Sequence, residues 1–275
     1  NKVARYKTML EEQAKFVNEV YIPDVLAFGT GPLFPLAKNG FGDGHPNYLS
    51  YGGLEKTEDG KEQVFAPGVI MDLDLGNIEI RPVDTDQITE SVKYAWYREA
   101  PPRHPYQGEQ VFDLDKKDAY SFIKAPRYDG KPMEVGPLAR MIIGKNPDLM
   151  GLVKKGVKPG VVARHAARAV ETKLILDACR EWADMLLTEM TKPGFRIHDT
   201  EHWEPPEVGM GAGFYEAPRG ALGHWIEIAD RKTKNYQAVV PSTWNASPRC
   251  EKKIRGQYEE SLIGVPVPDP DNPIN

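Results

Sequence analysis

Residues 209–249, GMGAGFYEAPRGALGHWIEIADRKTKNYQAVVPSTWNASPR, hold the most informative pattern of this chain. Glycines crowd the start of the stretch, Arg219 stands between a proline and a glycine, and a Pro-Ser-Thr-Trp-Asn turn lies near its end. Residues 223–229 and 235–240 flank a charged turn and predict a β-hairpin. Because glycine lets a backbone approach another group closely, the stretch predicts a segment that passes beside a large, reactive bound group.

The composition is that of an ordinary soluble globular protein. Apolar residues make up 40% and charged residues 27% of the 275 residues, enough for a substantial core. The net charge of −5 argues against a nucleic-acid partner, because such partners select basic surfaces. No apolar run approaches the ~20 residues that span a bilayer, and residues 1–20 are amphipathic rather than a signal peptide. We predict a single domain over residues 1–275 that is not itself transmembrane.

The two cysteines, Cys179 and Cys250, do not form a C-x-x-C pair. This chain alone therefore predicts no zinc or iron–sulfur site. Cys179 falls inside a helical pattern, which favours a buried and unreactive thiol. Cys250 follows Ser-Pro-Arg on a predicted loop, a position that allows an exposed thiol.

Helical periodicity is strongest over residues 159–190, with a Pro-Gly entry and a glycine after the end. At 1.5 Å per residue such a helix is roughly 45 Å long, a length typical of helix bundles. Residues 1–20 predict a second helix, which Pro23 should end. The fold class predicted is α+β and predominantly helical, a long-helix bundle with small β-hairpins.

The remaining segments predict shorter elements. Residues 21–66 are rich in glycine and proline, which indicates a loop with short strands. Residues 71–82 predict a small hairpin around Gly76-Asn77, and residues 85–97 a helix capped by Thr85 or Asp86. Residues 265–275, VPVPDPDNPIN, predict an exposed proline-rich extension.

A few side chains in these patterns could carry chemistry. The guanidinium of Arg219 is a fixed fork of donors that can orient an anion or polarise a ligand, although a surface arginine in a turn would have the same sequence. The hydroxyl of Ser242 could donate to a ligand or only cap its turn. His224 is typical of a hydrogen-bonded structural residue. Glu134 and Lys131 could form a solvated charge pair in a loop.

At these residues the chain resembles a known family. The segments GFYEAPRGALGHW and YQAVVPSTWNASPR are similar to the C-terminal part of the large subunit of respiratory, H2-uptake nickel–iron hydrogenases. ESVKYAWY, RHPYQG, KAPRY, MEVGPLAR, the Ala-Arg-rich helix and EESLIGVPV also occur in the order of that family. The resemblance implies the large-subunit fold and oxidation of H2 to protons and electrons within a heterodimer.

The family's catalytic centre is a nickel–iron pair held by four cysteines in two C-x-x-C motifs, and its iron carries CO and two cyanides. The resemblance places Arg219 over the metals as a catalytic residue that also holds one cyanide. It places Pro218 in the wall around these diatomic ligands and Ser242 as a donor to the other cyanide. Leu222 would line the apolar pocket around CO. A cyanide on iron is a strong hydrogen-bond acceptor, and in a buried pocket these donors replace the water that would otherwise bind it.

The resemblance also implies a structural magnesium, bound by the backbone carbonyl of Ala238. Asn245, Glu134 and Lys131 would lie near this ion, in contact through water. Electrons would leave through the iron–sulfur clusters of a small subunit. A periplasmic location would follow from export on the small subunit's signal, with membrane association through partners.

The chain departs from the family at both C-x-x-C motifs, at the acidic residues near the first of them and at a terminal histidine of the magnesium site. We therefore expect a partial chain that needs the remainder of the large subunit to hold nickel. Two alternatives are a non-catalytic scaffold and a relative of the quinone-reducing subunit of complex I, which keeps the fold without the metals. The A-P-R-G and P-S-T-W-N motifs argue against the second. An unrelated hydrolase would need a nucleophile–base pair that the sequence does not offer.

Overall fold

The computed structural model of the chain describes residues 2–57, 59–198, 204–267 and 271. Its α-helices are α1 (Lys2–Phe16), α2 (Ile22–Thr30), α3 (Phe34–Asn39), α4 (Pro137–Ile143), α5 (Pro147–Lys154), α6 (Val161–Glu189), α7 (Pro241–Asn245) and α8 (Gln257–Ser261). Its strands are β1 (Tyr48–Glu55), β2 (Gln63–Ile70), β3 (Ile88–Ser91), β4 (Ala125–Tyr128), β5 (Glu134–Val135), β6 (Val208–Ala217), β7 (Gly220–Ala229) and β8 (Lys232–Val239). None of these helices is both long and apolar enough to cross a bilayer. The predicted tail over residues 265–275 lies outside the described residues except for 265–267 and 271.

The long helix predicted over residues 159–190 is confirmed as α6, which has 29 residues. Most of its buried positions are small, so neighbouring backbones can approach it closely. The buried aliphatic residues of α6 are Val162, Ala163, Ala166, Ala167, Ala169, Val170, Ala178 and Ala183. Helices α1, α2, α4 and α5 pack against it, which confirms the bundle.

The prediction that Pro23 ends the first helix is wrong. The chain passes from α1 through a π-helical turn, Val17–Tyr21, directly into α2. In that turn the Ile22 N–H donates to the Val17 carbonyl, five residues back. The regular ladder is therefore already interrupted just ahead of Pro23, and Pro23 falls in the first turn of α2, where its missing N–H is tolerated.

Two further local predictions are wrong. Residues 71–82 form a turn, with the Asn77 N–H donating to the Asp74 carbonyl, and only an isolated Val69–Arg81 bridge where a hairpin was expected. Residues 85–97 begin with a short 3₁₀ turn, Thr85–Gln87, and continue as β3 rather than as a helix. Strand β3 pairs antiparallel with β4, so a partner distant in sequence decides its conformation.

The strands form three small sheets. In the first, β1 lies between β2, its antiparallel partner, and β5, its parallel partner. The second contains β3 and β4, and the third is an antiparallel meander of β6, β7 and β8. The hairpin predicted over residues 223–229 and 235–240 is confirmed as β7–β8, and β6 adds a third strand that the sequence reading did not include.

The apolar residues form two buried clusters. One lies between α4, α5, α6 and the β1–β2 hairpin. The other lies beneath β7 and α7, where Trp225 and Trp244 are almost completely buried. Cys250 is buried and Cys179 is half-buried, the reverse of what their sequence contexts favoured.

The second cluster anchors the 209–249 stretch, and truncating one of its tryptophans to alanine would destabilise the protein by about 3–5 kcal/mol.

Two glycines hold the β6–β7 turn against the start of α4. Gly220 has φ +130°, and a Cβ there would lie 2.5 Å from the Gly136 nitrogen and 2.7 Å from the Val135 carbonyl carbon. Gly136 has φ +116°, and its Cβ would lie 2.8 Å from the Arg219 carbonyl oxygen. Both the dihedral and the space therefore require glycine at each position.

We predict that Gly220→Ala lowers the free energy of unfolding of the intact protein by at least about 3 kcal/mol, because the methyl group meets backbone on the facing segment. Gly213→Ala is the matched control, since Gly213 lies in β6 and a Cβ there meets nothing within 4 Å. Its effect should stay below about 1 kcal/mol. Unfolding curves in guanidinium chloride measure both values. Equal decreases in the free energy of unfolding for the two variants would contradict the close contact.

Candidate functional site

Arg219 lies in the two-residue turn between β6 and β7, where Ala217 pairs with Gly220. Its side chain is exposed, and among the described residues its guanidinium has no hydrogen-bond or ion-pair partner. It lines two cavities, of about 300 Å³ and about 720 Å³, which share Pro137 and Arg168 as further lining residues. Pro218 lines the larger cavity, whose walls are mostly apolar. The turn therefore brings a cation that has no partner in the described part of the chain to the lining of both cavities.

Helix α7 brings Ser242 and Asn245 to the smaller cavity. Asn245 is fixed to β5, because its Oδ1 accepts from the Val135 N–H at 3.1 Å and its Nδ2 donates to the Val135 carbonyl at 2.9 Å. Ser242 is exposed, and its hydroxyl has no partner within the described part of the chain. The predicted donors Arg219 and Ser242 thus face one common space.

Glu134 lines the same cavity and is buried. Arg164 of α6 donates to its two carboxylate oxygens from Nε and Nη2, each at 2.8 Å. The guanidinium of Arg164 also donates to the carbonyls of Gly42 and Asp43, which ties α6 to the segment before β1. Lys131 pairs with Asp72 instead and does not line the cavity. The Glu134–Lys131 pair considered from the sequence is therefore not formed.

Leu222 and Ala238 lie on the sheet rather than at the cavity that holds Arg219 and Ser242. Leu222 is half-buried opposite Tyr215, and Ala238 is exposed opposite His224. Their predicted roles beside CO and magnesium stay predictions. The structural role expected for His224 is consistent with its 2.5 Å hydrogen bond between Nδ1 and the Tyr236 hydroxyl.

The sequence did not predict the role of Arg140, whose side chain makes four hydrogen bonds near this site. Its Nη1 donates to Glu216 at 2.7 Å and to the Ala217 carbonyl at 2.8 Å. Its Nη2 donates to Glu171 at 2.5 Å and to the Pro218 carbonyl at 3.0 Å. Arg140 is 1% exposed. An arginine inside the apolar run PLARMII was the available signal, because a charge in such a run must find partners.

Two carboxylates share the Arg140 guanidinium. Burial raises the pKa of Glu171, and it raises the pKa of Glu216 to about 7 even though Arg140 acts in the opposite direction. One oxygen of Glu216 also accepts from the Tyr51 N–H at 2.8 Å. Because one cation faces two buried acids, a proton retained on one of them near neutral pH balances the charge.

The smaller cavity has an excess of positive charge and of hydrogen-bond donors. Arg164, Arg168 and Arg219 line it, and Glu134 is its only acidic lining residue among those described. No group of three or more His, Cys, Asp and Glu side chains suited to a metal ion occurs in the described residues. These residues therefore fit a strongly accepting or anionic group, and they do not themselves offer a set of metal ligands.

The sequence matches the nickel-dependent hydrogenase family over residues 1–275. The chain belongs to this family. It is 37% identical over 296 residues to the periplasmic [NiFeSe] hydrogenase large subunit of Desulfomicrobium baculatum, covering 100% of this chain and 54% of that protein. It is 34% identical over 306 residues to the hydrogenase-1 large chain of Escherichia coli K12, covering 98% of this chain and 51% of that protein.

Solved structures agree with this family assignment. The hydrogenase chain aligns to the reduced, active form of the Ni-Fe-Se hydrogenase from Desulfomicrobium baculatum with a TM-score of 0.86 at 36% identity, over 99% of this chain and 56% of that one. The reduced Ni-Fe-Se hydrogenase from D. vulgaris Hildenborough gives 0.84 at 36% identity, over 99% and 57%. The predicted large-subunit fold is confirmed. The chain spans about half the length of the curated relatives it matches, and the single-domain prediction stays a prediction.

The raised pKa of Glu216 predicts that this hydrogenase chain loses stability as the pH rises. A carboxyl whose pKa is raised in the folded state contributes stability that is fully present below the unfolded value and lost as the pH passes the folded one. We expect Glu216 to lower the free energy of unfolding by about 3 kcal/mol between pH 5 and pH 8.

Glu216→Gln should remove this part of the pH dependence, since the amide keeps the shape of the side chain without titrating. Glu79→Gln is the control, because the hydrogen bond from Arg81 lowers the pKa of Glu79 and places its titration below this window. Unfolding curves at several pH values measure the slope. An unchanged slope in Glu216→Gln would show that Glu216 does not titrate there.

Proposed function

We propose that this chain forms the wall of the metal centre in the large subunit of a nickel–iron hydrogenase, and that the complete protein oxidises H2 to two protons and two electrons. The observation that carries the proposal is the meeting of Arg219 and Ser242, both with unpaired donors within the described structure, at one cavity. The family match over residues 1–275 supports it. The resemblance of the A-P-R-G and P-S-T-W-N motifs assigns each donor its role.

In this proposal the guanidinium of Arg219 donates to one cyanide on the iron and the hydroxyl of Ser242 donates to the other. Pro218 stiffens the wall beside them, and Leu222 contributes apolar surface towards CO. The permanent charge of Arg219 stabilises negative charge that develops in front of it, which makes it the catalytic residue of this chain. The nickel–iron centre, when bound, supplies the site at which H2 is split.

The metal ligands themselves must come from elsewhere. Cys179 and Cys250 are the only cysteines of this chain, and Cys250 is buried among the residues after α7. We propose that the remainder of the large subunit supplies the four thiolates, so that the two parts close the cavity between them. Thiolates bind nickel and iron, whereas the donors of this chain suit the diatomic ligands.

We also propose a magnesium ion near β8, bound by the backbone carbonyl of Ala238. Glu134 and Asn245 line the cavity of Arg219 and Ser242, which Ala238 does not line, so their contact with the ion through water rests on the resemblance. Hard cations prefer carbonyl, carboxylate and amide oxygens, with water completing the shell. Lys131 pairs with Asp72, so a contact between Lys131 and the ion rests on the resemblance alone.

Electrons would leave through a small subunit that carries iron–sulfur clusters, which makes the complete protein a heterodimer. A periplasmic location is supported by the relative from Desulfomicrobium baculatum, which is named a periplasmic hydrogenase large subunit. Relatives named as uptake hydrogenases support the direction of H2 oxidation. Membrane association would come from further partners.

The alternatives are a non-catalytic scaffold and a metal-free relative of the quinone-reducing subunit of complex I. The nickel-dependent hydrogenase match and the convergence of Arg219 and Ser242 favour the enzyme, because a scaffold needs no unpaired donors at a cavity. H2-dependent dye reduction by the complete heterodimer separates these functions. A metal-loaded complex without this activity would favour the scaffold.

We predict that Arg219→Lys in the complete heterodimer lowers the rate of H2-dependent dye reduction about 10²- to 10³-fold, because an ammonium cannot reproduce the planar fork. Nickel and iron content should stay unchanged by elemental analysis. Arg231→Lys is the matched control, since Arg231 lies in the two-residue turn at the other end of β7. Activity that survives in Arg219→Lys would remove the catalytic role.

Ser242→Ala should lower the same rate about tenfold, because it removes one hydrogen bond to a charged acceptor. Thr243→Ala is its control, since Thr243 follows Ser242 in α7 and does not line the cavity. The infrared bands of the two cyanides provide a second measurement. Ser242→Ala and Arg219→Lys should each shift a different band, and a shift of the same band would contradict the assignment of one donor to each cyanide.

A further inference from the structure

We infer that Arg140 is a positioning residue for Arg219, which it controls by holding the two carbonyls that precede Arg219 in the chain. The inference rests on the proposed function, since it names what directs the catalytic side chain. Arg140 does not line either cavity beside Arg219, so it acts through the backbone of the turn.

Gly136 and Arg140, at the start of α4, contact three consecutive residues, Ala217 at the end of β6 and the two residues of the following turn. Arg140 donates to the carbonyls of Ala217 at 2.8 Å and Pro218 at 3.0 Å. Gly136 lies directly against the carbonyl of Arg219, where a Cβ would come within 2.8 Å. Arg140 and Gly136 are themselves joined, since the Arg140 N–H donates to the Gly136 carbonyl at 3.0 Å. The start of one helix thus holds the backbone of residues 217–219, from which the Arg219 side chain extends.

The two carboxylates keep the Arg140 fork from rotating. Glu216 of β6 and Glu171 of α6 each accept from a different terminal nitrogen, at 2.7 Å and 2.5 Å. The guanidinium carbon lies over the ring of Phe65, 4.7 Å from the ring centroid. Four hydrogen bonds and one cation–π contact therefore hold this guanidinium in place, and a guanidinium held in this way fixes the positions of the two carbonyls that it binds.

Arg219 depends on such support because its own side chain has no partner among the described residues. Within the described structure no polar contact holds its guanidinium, so the backbone of the two-residue turn sets the direction in which the side chain starts. A displacement of about 1 Å at a catalytic group can lower a rate about 10²-fold. Loss of the hydrogen bonds from Arg140 to the Ala217 and Pro218 carbonyls should therefore displace Arg219, although Arg140 does not contact the Arg219 side chain.

The test uses the complete, metal-loaded heterodimer with Arg140→Lys, which keeps the charge and loses the fork. We expect a shift of the same cyanide infrared band, in the same direction, as in Arg219→Lys. The kcat for H2 oxidation should fall at least about tenfold with the KM for H2 within twofold, since substrate binding is untouched. The double variant should match Arg219→Lys alone within about twofold, because both changes act through one group.

Arg127→Lys is the matched control. Arg127 is also buried and also donates to backbone carbonyls, those of Pro126, Pro248 and Ile254, but it does not contact the Arg219 turn. It should leave the Arg219-dependent band in place even where it lowers the stability of the protein. A general effect of losing a buried arginine would instead give the same infrared result in both variants and would overturn the inference.

Glu171→Ala is the second test variant, for the case that the Arg140→Lys protein does not assemble into the metal-loaded heterodimer. It leaves Arg140 balanced by Glu216 and releases only the terminal nitrogen that also holds the Pro218 carbonyl. A smaller shift of the same band is expected, and an unshifted band overturns the inference. If the unmodified heterodimer shows no cyanide bands at all, the proposed function fails rather than the role of Arg140.

Discussion

The buried guanidinium of Arg140 is the interaction on which the candidate site depends. Removing it would leave the carboxylates of Glu216 and Glu171 facing each other without a cation, a change that typically destabilises a protein by about 3–5 kcal/mol. It would also free the carbonyls of the Arg219 turn. The same group thus links the stability of the sheet–bundle contact to the backbone that carries Arg219.

The other contacts of the site start from the same short segment. Glu134 accepts from Arg164 of α6, Val135 pairs with the amide of Asn245, and Gly136 contacts the Arg219 turn. Residues 134–140 therefore connect the helix bundle, the meander and α7 at one place. This segment brings together donors that lie far apart in the sequence, and in the described structure the side chains of Arg219 and Ser242 line the cavity without a partner.

Local sequence patterns predicted the elements whose conformation is decided locally. The 29-residue α6 and the β7–β8 hairpin carry their own periodicity and turn, and both are confirmed. The helix predicted over residues 85–97 is wrong because β3 takes its conformation from pairing with β4. The stop predicted at Pro23 is wrong because a π turn ahead of it interrupts the helical ladder. In each wrong case a non-local or irregular contact overrode a local propensity.

By itself the sequence determined the family, the long helix and the motifs that contain Arg219 and Ser242, because these are carried by residue types at fixed spacings. Only the tertiary structure decided that both donors face one cavity while Leu222 and Ala238 lie outside it. It also decided which partners Arg140 has on β6 and α6. A buried charge is stabilised by partners on other elements. The spacing of residues within one segment does not indicate where those partners lie.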